Sequence, residues 1–190
     1  MIAPNTVARL LEENPDITKF ATNLLSGIKF NAQHAHAELE EVVSVLDKHK
    51  QNYRLVFGTL LGLYRDAALI GHDKDIDIAV DYDDVDALYD ALAELNILGY
   101  KCVRLEDRLI SIAKSSCYID FYLFKSTGGD QMVCAHYTLQ ARDFTSDTVL
   151  ECQGNTYLTV EDPEYFCLKF YGPCWKRPMK GFRAKPHKLL

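Results

Sequence analysis

Residues 56–80 read V-F-G-T-L-L-G-L-Y-R-D-A-A-L-I-G-H-D-K-D-I-D-I-A-V, and this stretch decides the fold. At its end, Asp75-Ile76-Asp77-Ile78 alternates charge and bulk at a period of two. On a strand alternate side chains share a face, so Asp75 and Asp77 point together while Ile76 and Ile78 enter a core. Two carboxylates roughly 6.5–7 Å apart along a strand repel each other unless something positive lies between them. Oxygen-only ligands select a hard divalent cation such as Mg²⁺ or Mn²⁺.

The beginning of the stretch is its complement. Tyr53–Phe57 is expected as a short strand, turning at Gly58-Thr59 into a helix over Leu60–Ala68. Gly58 lets the backbone approach a ligand closely, and the first N–H groups of a helix carry partial positive charge, which makes a place for phosphate. Thr59 is expected as the N-cap, with a hydroxyl that could also be donated to the ligand. The plainer alternative is a capped helix beside a solvated acidic strand end.

Two strings carry a resemblance. Gly58-Thr59-Leu60-Leu61-Gly62-x-x-Arg65, followed by Ile70-x-x-Asp73-x-Asp75-Ile76-Asp77-Ile78, resembles the signature of the LicD/fukutin-related family, within the polymerase-β-like nucleotidyltransferase superfamily. Near the other end, Tyr171-Gly172-Pro173-Cys174-Trp175-Lys176-Arg177-Pro178 resembles that family's closing motif. The chain departs at Gly71-His72-Asp73-Lys74, where the family usually has Pro-Trp-Asp-Asp. Lys74 leaves the paired carboxylates intact but lowers the local negative charge.

Composition narrows the class. At 190 residues the chain is one domain with at most a helical extension, long enough for a full core without disulfides. A net charge of −6 argues against nucleic acid as a partner. No apolar run is long enough for a transmembrane segment, and the N-terminus lacks the pattern of a secretory signal. Cys102, Cys117, Cys134, Cys152, Cys167 and Cys174 form no Cys-x-x-Cys pair and are expected as reduced core residues of a cytoplasmic protein. Zinc would need long-range assembly of Cys167 and Cys174 near His136.

Residues 1–50 are expected as a helical extension packed on the core, with helices over 4–14 and from Ile17 to Lys50. His34 and His36 stand two apart, do not share a helical face, and are expected as surface or satisfied core residues. Residues 51–178 form the catalytic core. After the Asp-x-Asp strand, a helix begins among Asp81, Asp83, Asp84 and Asp86, where acids suit the helix dipole, and runs to Asn96. Tyr100–Leu105 and Leu109–Ser115 read as a hairpin, Met132–Thr138 and Val149–Cys152 as further strands. Asp162-Pro163 caps a helix ending at Tyr171. The fold class is therefore α+β, a mixed sheet flanked by helices.

Cys117–Phe124 is a strongly apolar strand with one charge, Asp120. A buried carboxylate needs a partner. Beside the Asp-x-Asp strand, Asp120 would complete a three-carboxylate metal site, which is its place in the superfamily pattern; the alternative is an Arg or Lys on a neighbouring strand. Arg65 could neutralise charge on a donor or pair with an Asp. Asp73 is expected to orient a metal ligand, with capping as its alternative. His136 and Arg142 could touch a donor phosphate or move a proton. The tail, 179–190, is basic, and Lys176 to Lys188 carries six cations with no acid, suited to a phosphorylated acceptor or to peripheral contact with an anionic membrane, unless it is simply solvated.

The resemblance implies an Mg-dependent transferase. Members move a substituted phosphate, such as phosphocholine or a polyol phosphate, from a CDP-linked donor to a sugar hydroxyl in glycan modification. Asp75, Asp77 and Asp120 would be the metal-binding and catalytic residues, and Gly58, Thr59, Arg65 and Asp73 would contact the nucleotide-linked donor. Two further readings stand beside it. One is transfer of a nucleoside monophosphate from a nucleoside triphosphate to a small molecule or protein. The other is a degenerate binding module of the same fold.

Overall fold

The computed structural model describes residues 30–179. The helices expected over 4–14 and from Ile17, and the tail cations from Lys180 onward, lie outside the described residues. The first described helix, α1 (Ala32–Lys48), is capped by Asn31, whose side chain accepts the Gln33 and His34 N–H groups. Leu39, Val42, Val43 and Leu46 recur at helical spacing and are buried.

Then come β1 (Tyr53–Leu55), α2 (Phe57–Asp66), β2 (Asp75–Asp81), a 3₁₀ turn (Tyr82–Asp84), α3 (Val85–Ile97), β3 (Lys101–Leu105), β4 (Leu109–Ala113) and β5 (Tyr118–Ser126). The second half contains β6 (Gln131–Cys134), β7 (Tyr137–Gln140), α4 (Ala141–Thr145), β8 (Val149–Cys152), β9 (Asn155–Leu158) and α5 (Pro163–Tyr171). The main sheet has the order β1-β2-β5-β4-β3, with β6 and β7 continuing from β5 and β8-β9 a separate hairpin. Among the described strands β2 and β5 pair in parallel and the other pairs are antiparallel, with an isolated parallel bridge between Leu55 and Thr159. A parallel pair needs a crossover, and α3 with the β3-β4 hairpin supplies it. The fold is the expected α+β one, a mixed sheet flanked by helices.

Alternation along β2 and β5 divides the interior. Ile76, Ile78, Val80, Ile119, Phe121 and Leu123 face one core, which α1 and α3 close. Ala79 and Phe124 face a second core, closed by α2, α5 and the β6-β7 hairpin. Asp75, Asp77 and Asp120 share this second face. The start of β5 is pinned from the first side. The buried Glu38 of α1 accepts the backbone N–H groups of Ser115 and Ser116, each at 3.1 Å.

Three expectations are corrected. The first strand ends at Leu55, and the helix starts at Phe57 rather than Leu60. Phe57 itself makes the turn, at a left-handed φ of 45°. Such a conformation costs a non-glycine residue on the order of 1–2 kcal/mol. The Phe57 ring is packed by Tyr122, Tyr137, Phe166 and Phe170, which offsets it. Thr59 is therefore not the N-cap; that position is Val56, with no side-chain cap. Finally, Met132–Thr138 is a hairpin rather than one strand, since Cys134 pairs with Tyr137 across a turn at Ala135-His136.

The six cysteines are free, and only Cys174 is exposed. Burial pushes the Cys102 and Cys134 thiols up to about 11, as suits unreactive core residues. Among the described residues no helix is long and apolar enough to cross a membrane.

Candidate active site

The parallel pairing of β2 with β5 places Asp77 level with Asp120 and Asp75 level with Tyr118. One oxygen from each of Asp75, Asp77 and Asp120 lies within 4.8 Å of the others. Asp77 and Asp120 are buried and Asp75 half-buried. The Cys167, Cys174 and His136 set weighed for zinc is not assembled; among the described residues the three aspartates are the group placed to share a cation.

The electrostatics follow from this crowding. Burial, then the charges of Asp75, Asp120 and Asp73, hold the Asp77 carboxyl well above the usual carboxylate range. Burial pushes Asp120 up to about 6, while the Ser111 hydroxyl and the Arg104 guanidinium pull the other way. Burial and the neighbouring Asp75 push Asp73 up to about 7. Oxygen ligands this close, with raised proton affinity, fit a hard divalent cation.

Asp120 has two kinds of neighbour. It stands beside the Asp-x-Asp pair, and it has a cationic neighbour, with Arg104 Nη2 at 3.9 Å from its Oδ1. Ser111 donates a hydrogen bond to the same oxygen.

The start of α2 braces these acids. The Gly58 N–H donates to Asp77 Oδ2 at 3.1 Å, so this amide serves the carboxylate. Thr59 is buried, and its Oγ1 accepts the backbone N–H of Asp77 at 2.8 Å. The hydroxyl expected to meet a ligand thus ties the helix to β2. Arg65 lines the cleft and also makes the ion pair expected as its alternative role. It grips Asp66 at 2.6 Å and donates to the Trp175 carbonyl at 3.2 Å. Trp175 in turn stacks on Tyr64 with ring centroids 5.7 Å apart.

Gly58 also explains the place of Asp73. A Cβ at position 58 would overlap Asp73 Oδ2 and reach Asp77 Oδ2 at 3.4 Å. Gly58→Ala is therefore expected to displace Asp73 from Asp75 and to lower cation affinity about tenfold or more, with little loss of helix stability. Calorimetric titration with Mn²⁺ checks this, and unchanged affinity would refute it.

Asp73, Asp75 and Asp77 line a cleft of about 690 Å³. Much of its lining is aromatic, with Phe57, Tyr122, Tyr137, Tyr171 and Trp175. Lys74, His136 and Arg177 also line it. Arg142 does not; it pairs with Glu161 at 2.9 Å. Sequence reading missed the tyrosines, which look like ordinary apolar strand residues. Their signal was present in part, since Tyr118 and Tyr122 flank Asp120 at a spacing of two.

A family model described as LicD/FKTN/FKRP, nucleotidyltransferase domain, matches residues 50–185. Among solved structures the chain is similar to the antibiotic-resistance factor ANT(2'')-Ia. Its solution structure superposes with a TM-score of 0.54 at 11% identity, over 68% of this chain and 66% of that one. Its crystal structure in complex with adenylyl-2''-tobramycin gives 0.53 at 11% identity, over 75% and 77%. At that identity the likeness shows the fold. No curated protein matches.

Proposed function

Because this chain belongs to the LicD/FKTN/FKRP nucleotidyltransferase-domain family, we propose that it moves a substituted phosphate, of the phosphocholine or polyol-phosphate kind, from a CDP-linked donor to a sugar hydroxyl of a glycan or related acceptor. The observation that carries this is the convergence of Asp75, Asp77 and Asp120 within 4.8 Å, with Asp75 and Asp77 lining the cleft. These three side chains would hold Mg²⁺ or Mn²⁺, which would neutralise charge on the transferring phosphate.

The remaining residues position and enclose. Gly58 and Thr59 fix Asp77 from the backbone. Asp73 and Tyr118 flank Asp75 in the cleft lining. Lys74 and Arg177 bring positive charge to the cleft for the donor's phosphates. The aromatic wall offers ring faces to the base or head group and keeps water from the transferring phosphate. Arg65 acts at one remove, by fixing the backbone of Trp175 in that wall.

A second reading is nucleotidyl transfer, with the nucleoside monophosphate passing to the acceptor. It draws on the fold shared with ANT(2'')-Ia, whose crystal structure holds an adenylyl product. Calorimetric titration with CDP-choline, CDP-ribitol, CTP and ATP, each with and without Mg²⁺, separates the two, with Asp77→Ala as control. The expected result is binding of a CDP-linked compound that needs both the metal and Asp77. Preference for a triphosphate would move the assignment to nucleotidyl transfer. Silence from all four would overturn both in favour of a binding module.

A further inference from the structure

Arg104 reaches Asp120 through an irregularity in β3. Cys102 pairs with Ile112 and Leu105 with Ile110, all four on the side of the first core. Between them β3 has two residues, Val103 and Arg104, where β4 has only Ser111. This is a β-bulge, a device that re-aims side chains beside functional sites. In a regular ladder Val103 would face Ser111 and Arg104 would face Ile110, because a one-residue slip flips a strand's faces. With the bulge, one row crosses four strands: Arg104, Ser111, Asp120, Asp77.

The two neighbours of Asp120 act on it differently. The Ser111 hydroxyl donates a hydrogen bond, which fixes orientation. The Arg104 guanidinium stands 3.9 Å away, beyond hydrogen-bond reach, and supplies charge. Its side chain is 25% exposed against 4% for Asp120, so it can turn outward without leaving the sheet.

The structure assigns Arg104 the role of resident counter-ion of the three-carboxylate site, a positioning residue that offsets acid–acid repulsion while the site lacks a cation and opposes the cation once it arrives. This rests on the metal-centre reading above. A fixed positive charge a few ångströms from a divalent ion repels it, whereas a hydrogen bond that orients a ligand favours binding. Removing Arg104 and removing Ser111 therefore shift cation affinity in opposite directions.

The test is titration of the full chain with Mn²⁺ alone, with free Mn²⁺ followed by electron paramagnetic resonance. Wild type should bind and Asp77→Ala should not, which tests the metal reading separately. Ser111→Ala is expected to weaken binding about tenfold. Arg104→Gln and Arg104→Met should each tighten it about three- to tenfold, by a margin that shrinks in high salt, while both lower the melting temperature measured in EDTA. Arg104→Lys, which keeps the charge, should match wild type. An Arg104→Gln protein that binds Mn²⁺ like wild type or more weakly overturns the counter-ion role while the metal reading stands. A wild type that does not bind Mn²⁺ overturns both.

Discussion

Asp77→Asn should melt at a higher temperature than wild type in EDTA at pH 8, and should transfer substrate about 10³-fold more slowly. The two effects have one origin. Asp77 is buried, and Asp75, Asp120 and Asp73 raise the proton affinity of its carboxyl further. An ionised Asp77 without a cation is therefore a source of strain. Asparagine keeps the shape and can still accept the Gly58 N–H at Oδ1, but it carries no charge. Relief of this buried, unpaired charge is expected to raise the melting temperature by several degrees for a chain of this size. The same change removes one of three cation ligands. A loss of about 4 kcal/mol in transition-state stabilisation corresponds to about 10³ in rate. Adding Mn²⁺ should raise the melting temperature of wild type and leave that of Asp77→Asn almost unmoved. A variant less stable than wild type in EDTA would refute the account.

The pH dependence follows from the same groups. Folding raises Asp120 from its ordinary 3.8 to about 6 and Asp73 to about 7, and it raises Asp77 as well. The folded chain thus holds protons that the unfolded chain releases. That contribution to stability is fully present below about pH 4 and is lost as pH rises through 6 to 7. Glu41, whose pKa is lowered by its bond to Lys114, opposes the trend below pH 4.5 but not above it. Cation-free wild type should therefore be more stable at pH 5 than at pH 8, and Asp77→Asn should show a shallower decline.

The centre of the site was legible because its chemistry conflicts with its surroundings. Asp75 and Asp77 alternate with isoleucines, and Asp120 is a lone charge in an apolar strand. Such conflicts mark function. The elements around the site were legible where local signals are strong, as with Asp162-Pro163 at the start of α5. Three features were not. The turn before α2 was expected at Gly58-Thr59, with the glycine there for close approach to a ligand, yet Phe57 makes the turn in a left-handed conformation. Gly58 is needed for close approach, by Asp73, and that depends on how the loop between α2 and β2 folds back on the helix start. The β6-β7 turn at Ala135-His136 lacks glycine, proline or asparagine, so nothing local announces it. Arg104 joins the site only through a bulge, and a bulge belongs to a pair of strands rather than to either sequence.

Arg54→Met should cost about 3–5 kcal/mol of stability, read as a shift of the urea midpoint without change in slope. Arg54 is 2% exposed. Its Nε donates to the Asp143 carbonyl, Nη1 to Asn52 Oδ1 and the Tyr53 carbonyl, and Nη2 to the carbonyls of Phe144 and Ser146, all within 2.6–2.7 Å. All five donors of the guanidinium are used. A buried salt bridge can often be replaced by apolar residues without loss, because both partners are exchanged. Here four of the five acceptors are backbone carbonyls, which no substitution removes. Methionine would leave them without this donor, at about 1–3 kcal/mol for each that finds no substitute. Lysine would supply three donors from a single point and should recover about half of the loss. The consequence reaches the cleft through the chain. Arg54 holds residues 143–146, which follow the β6-β7 hairpin that carries His136 and Tyr137, against the strand paired with β2. The three aspartates stand on β2 and β5 in the middle of the sheet, whereas Tyr137 of the aromatic lining stands on the hairpin next to the segment that Arg54 ties down. Under conditions where Arg54→Met remains folded, Mn²⁺ binding should stay within about threefold of wild type while donor binding weakens by tenfold or more. Equal loss of both would mean that the two walls of the cleft are not separable in this way, and a stability change below about 1 kcal/mol would mean that the carbonyls find other donors.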